Sequence, residues 1–151
     1  MADLHMTDFY RDTARILVQL YNRFPNPGIL YVDDISGPDS PDEFGLPAPR
    51  FQACFNTMIW LAEAGFIQYS APIRQEALDG VTLSHKGLVI LFSQTLALSA
   101  SDLHFQNEES TIATETPLSH VEWLKMALAS QSSRIIEEAV KTVLAHPLLA
   151  G

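Results

Sequence analysis

The sequence predicts an α+β fold, mostly α with a small β-hairpin wing and further helix after it. Three observations predict it. Apolar residues recur every three or four positions over 9–24, 51–62 and 121–143, two short β-rich runs lie at 66–70 and 81–83, and Gly and Pro mark the joints between them. At 151 residues with 47% hydrophobic and 18% charged residues, the chain buries a sizeable core and is too apolar to be disordered.

Thr7 suits the cap of a first helix, with Asp8 in its first turn, and Phe9, Thr13, Ile16, Leu17, Leu20, Tyr21 and Phe24 form its core-facing stripe. Pro25, Pro27 and Gly28 stop it. The β-branched and aromatic run Ile29 to Ile35 predicts a strand, and SGPDSPDEFGLPAP, with four prolines and two glycines, predicts a loop or at most one helical turn. A second helix is predicted from Pro49 to about Ala64. It buries Phe51, Cys54, Phe55, Met58, Leu61 and Ala62 and leaves Arg50, Gln52, Ala53, Asn56, Trp60 and Glu63 nearer solvent. Gly65 ends it, because glycine enters the left-handed conformation without a Cβ clash.

Phe66 to Ser70 and Val81 to Leu83 read as strands joined by a long hairpin loop containing Pro72, Arg74, Asp79 and Gly80. Ser84 then caps a third helix, in which Leu88 to Leu98 is apolar around nearly the whole circumference. Residues 101–116 are polar and acidic, hence a linker. The segment 117–147 opens with a capping box of Ser119 and Glu122, continues as an amphipathic helix, and has a weak spot at Ser130 to Ser133.

The net charge of −9 is unevenly placed. Asp33, Asp34, Asp39, Asp42 and Glu43 form one acidic stretch, and Asp102, Glu108, Glu109 and Glu115 a second. The other nine acids balance the nine Lys and Arg, so the regular elements are near neutral and neither repel nor attract DNA strongly. With one cysteine, no basic or apolar leader, and a longest apolar run of 14 residues against the roughly 20 a bilayer span needs, the chain reads as cytoplasmic and off the membrane.

Leu61, Gly65, Phe66 and Ile67, followed by Val81, Leu83, Ser84, Lys86 and Gly87, resemble the second half of a winged helix-turn-helix domain: recognition helix, glycine, wing, and return. The resemblance covers about residues 7 to 100. It implies a dimeric DNA-binding transcription regulator with the Pro49 to Ala64 helix in the major groove and the hairpin beside the backbone. The departure from the family pattern is the acidic Asp33 to Glu43 stretch, where such proteins carry a compact bracing helix.

Candidate nucleic-acid contacts are Arg50, Gln52 and Asn56 on the helix and Arg74 and Lys86 near the wing. The plain alternative is a polar outer face without function. Candidate interface residues are Trp60, Leu88, Phe92, Leu96, Leu124, Leu128 and Ile135, because so much apolar helix surface exceeds what a small winged core covers. A homodimer is expected, with a hairpin folded back in one monomer as the alternative; for the outward-facing helix, duplex DNA and a protein partner stay open.

No enzyme is expected. The five histidines and Cys54 have no ligand spacing, the acidic loop fails the calcium-loop pattern, and neither a phosphate-binding glycine loop nor a nucleophile elbow is present, so no metal or cofactor is assigned.

Overall fold

The computed structural model describes residues 4–39, 41, 43–94 and 118–150. Helix α1, Leu4–Arg23, begins upstream of Thr7, so Thr7 lies inside the helix and not at its cap. Nothing in Leu4, His5 or Met6 breaks a helix, and the winding continues through them. Asp12, Thr13, Ala14, Ile16, Leu17 and Leu20 are its buried positions.

The expected strand over 29–35 divides in two. Strand β1, Gly28–Tyr31, gives way to a short helix α2, Val32–Ser36. Alternation would put Val32 and Ile35 on opposite faces of a strand, whereas a spacing of three puts both on one helical face, and both are buried. Asp33 and Asp34 occupy the first turn, where the helix dipole favours anions.

Helix α3, Pro49–Glu63, matches its predicted span to one residue. Gly65 has φ +93° and donates to the Ala62 carbonyl (3.1 Å), while Phe66 N–H donates to Leu61 (3.0 Å), closing a Schellman turn. Strands β2 (Ile67–Gln68), β3 (Ala71–Ile73) and β4 (Ala77–Leu83) follow. Strand β4 lies between β1 and β2 in an antiparallel sheet and also pairs with β3. The long loop expected after Ser70 is therefore partly strand. Its Pro72 suits an edge position, and Arg74, at φ +52°, turns the chain back.

Ser84 caps helix α4, His85–Phe92. Its Oγ accepts from Gly87 N–H (2.9 Å) and donates to the Gly65 carbonyl (2.6 Å), so one hydroxyl ties the start of α4 to the end of α3. The predicted third helix ends earlier than expected, because Ser93 is extended and Gln94 bridges to Ser119, so the winding stops at Phe92; Leu96 and the acidic linker lie outside the described residues.

Ser119 and Glu122 form the expected capping box on helix α5, His120–Ser130. The weak spot is a true break: Gln131 is left-handed (φ +59°), and Ser132 caps helix α6, Ser133–Leu144. A short 3₁₀ turn, Pro147–Ala150, ends the described chain. Helices α5 and α6 form a hairpin packed on α1, and their apolar residues join the same core as Leu17, Leu30, Met58, Val81 and Ile90.

This corrects the interface expectation in favour of its fold-back alternative: Leu124 (0% exposed) and Ile135 (5%) are interior residues of their own chain, with Leu128 packed against them half-buried. The stripe assigned to a second copy is covered by α1, because the break at Gln131 lets two short helices fold back where one long helix would have projected.

Candidate functional site

The polar face predicted for α3 is largely committed within the chain. Arg50 Nη1 and Nη2 donate to both oxygens of Asp12 at 2.7 and 2.5 Å, and Nε lies 3.6 Å from Asp8. Asp12 is 1% exposed, so this bidentate pair sits at the edge of the core. The hydrogen bond it donates to Asp12 holds the guanidinium more firmly protonated than usual, with the charges of Asp12 and Asp8 acting the same way against partial burial. Gln52 Nε2 donates to the Pro47 carbonyl at 2.7 Å, bracing the loop before the helix.

Asn56 is placed otherwise. With Ala53, Thr57 and Trp60 it forms the α3 wall of a groove of about 820 Å³, whose other walls are His5, Met6, Phe9 and Tyr10 of α1 and Lys141 and Leu144 of α6. The Phe9 ring meets Trp60 edge-on at 5.4 Å and Tyr10 at 5.6 Å, giving an aromatic lining. Lys141 Nζ lies 5.8 Å from the Tyr10 ring centroid and binds Glu137 at 2.8 Å. Thr57 Oγ1 is satisfied by the Ala53 carbonyl at 2.9 Å.

Of the remaining candidates, Arg74 is exposed at the β3–β4 turn and Lys86 is half-buried on the first turn of α4. Among the described residues these are the two cations without a hydrogen bond, ion pair or ring contact. Trp60 (43% exposed) and Phe92 (52%) present apolar surface, and Leu88 is half-buried against the core.

Two histidines far apart in sequence meet in space. His120 is 4% exposed, its Nδ1 has no partner, and its ring centroid lies 5.5 Å from that of His146. His146 Nε2 contacts Ser93 Oγ at 3.3 Å, and its Nδ1 accepts from Leu148 N–H at 3.1 Å. Burial, and secondarily the neighbouring His146, holds His120 below the ordinary imidazole range. Among the described residues no group of three His, Cys, Asp or Glu side chains is arranged to hold a metal ion, and no helix is long and apolar enough to cross a membrane.

Sequence reasoning missed both the groove and the histidine pair. Phe9 reads as one more stripe residue of α1, and His120 and His146 stand 26 positions apart; their meeting depends on the α5–α6 fold-back. Compared with protein-family models, curated proteins and solved structures, the chain matches none.

Proposed function

We propose that this chain is a non-enzymatic winged-helix binding module that engages a protein partner and does not read DNA. The winged-helix part of the reading is supported by the element order α1–β1–α2–α3–β2–β3–β4, with β4 between β1 and β2 and the short β3 paired to β4, and by the wing-return residues Leu83 to Gly87. The short α2 stands where the bracing helix of such domains would be, with Asp33 and Asp34 on it.

The observation that carries the protein-binding part is the Arg50 pair. The one cation of α3 is bound by Asp12 and Asp8. The exposed face of the helix then offers Gln52, Ala53, Asn56, Trp60 and Glu63, an uncharged-to-acidic set with an aromatic anchor. Phosphate neutralisation dominates DNA affinity, and tight binders commonly make about 6–10 such contacts. Arg74 and Lys86 fall short of that. A Trp on an otherwise polar helix face is the composition of an interface centre.

The test is binding of a labelled random duplex at ~50 mM salt, where phosphate contacts are least screened. No retention is expected. Affinity that falls steeply with added salt would overturn the proposal in favour of a DNA-binding regulator.

A further inference from the structure

We infer that the groove between α1, α3 and α6 binds a small, uncharged molecule with a flat apolar body and one polar edge. Its volume, about 820 Å³, falls within the roughly 300–1,000 Å³ of small-molecule sites. The three walls belong to helices that share one core, so the groove exists before any guest arrives.

The pairing of the charges at the groove favours a neutral guest. Both carboxylate oxygens of Asp12 are taken by Arg50, and Lys141 Nζ is taken by Glu137. A charged guest would leave water for a largely apolar lining in which Asp12 and Lys141 already have partners. Phe9, Tyr10, Trp60 and Leu144 supply the apolar surface, and the ring edges and faces suit an aromatic body.

Asn56 specifies the polar edge. Its side chain makes no hydrogen bond among the described residues although it lines the groove, and an amide both donates and accepts. A carbonyl, hydroxyl or amide on the guest completes it. Apolar walls with few polar groups fixing orientation are the usual construction of a small-molecule site. The inference goes beyond the proposed protein-binding role; the groove shares Ala53, Asn56 and Trp60 with the face proposed for a protein partner, so a bound molecule and that partner compete for it.

The full chain is titrated with Nile red, a neutral aromatic dye, followed by its fluorescence. Saturable binding at one site is expected, with amide shifts in the unmodified protein concentrated at residues 5–10, 53–60 and 141–145. The anionic dye anilinonaphthalene sulfonate should bind at least about tenfold more weakly, as should Nile red to Ala53→Trp, which fills the groove from the exposed face of α3. Should Ala53→Trp fail to fold, the shift map on the unmodified chain decides alone. No saturable binding, shifts elsewhere, equal binding by the anionic dye, or unchanged binding to a folded Ala53→Trp would each overturn the inference; the first outcome would leave the groove to a macromolecular partner.

Discussion

Altering either partner of the Arg50–Asp12 pair disrupts the same bidentate contact, yet the two losses should differ because the partners differ in exposure. Asp12 is 1% exposed, whereas the Arg50 side chain is 33% exposed and also faces Asp8 at 3.6 Å. In Arg50→Met a carboxylate is left in the core with no cation, a loss of about 3–5 kcal/mol for a broken buried pair. In Asp12→Asn the guanidinium keeps one acceptor, Asp8 and water, so the cost falls to about 1–2 kcal/mol. Urea unfolding followed by circular dichroism measures both. With a slope of about 2 kcal/mol per molar urea, Arg50→Met should lower the midpoint by roughly 2 M and Asp12→Asn by less than 1 M. The double variant Asp12→Leu/Arg50→Met should recover most of the loss, because apolar replacement of a buried pair is often neutral. Equal midpoints for the single variants, or a larger loss in Asp12→Asn, would refute the placement of the burden on the carboxylate.

Gly87→Ala should destabilise the chain by about 1–3 kcal/mol in the same assay, since its Cβ would collide with the Phe66 backbone carbonyl, which cannot step aside. Cys54 is fully buried and its thiol is pushed up to about 12, chiefly by burial, so a thiol reagent at pH 8 should not label the native chain and should label it fully in urea. His120 titrates lower folded than unfolded, so the folded state takes up its proton less readily. Stability should be level above the unfolded value of about 6.5 and decline as pH falls below it, by at most about 1.4 kcal/mol per pH unit for one group. His120→Gln should flatten that decline in pH-dependent melts, and an unchanged profile would remove His120 as its source. Because α1 covers Leu124 and Ile135, sedimentation at tens of micromolar should show one species of 16.7 kDa; twice that mass would mean that Phe92 or Trp60 carries a dimer.

What the sequence made legible was local chemistry. Pro49 and Gly65 bound α3, Ser84 caps α4, Ser119 and Glu122 form a capping box, and Ser130 to Ser133 breaks the last helix; each device works within four residues. Helix α2 was misread because β-branched composition outweighed the three-residue spacing of Val32 and Ile35. Strand β3 was hidden by Pro72, tolerated because the strand sits at an edge.

The candidate site was less legible because its properties depend on residues brought together from far apart. In the sequence Arg50 is an unpaired cation on a helix face, the residue type that reads guanine or holds phosphate. Its actual partner stands 38 positions earlier, on a helix whose stripe gives no reason to expect a carboxylate pointing inward. Asn56 and Trp60 undergo the opposite change. Facing solvent they are a polar residue and an apolar one of no evident purpose; the return of α6 to α1 turns the space beside them into a groove with three walls. The same fold-back that removes Leu124 and Ile135 from any surface therefore creates the surface on α3 that remains to be used. A helix whose cation is spent on its own core, and whose uncharged residues line a cavity, is better suited to recognising an apolar body than a polyanion.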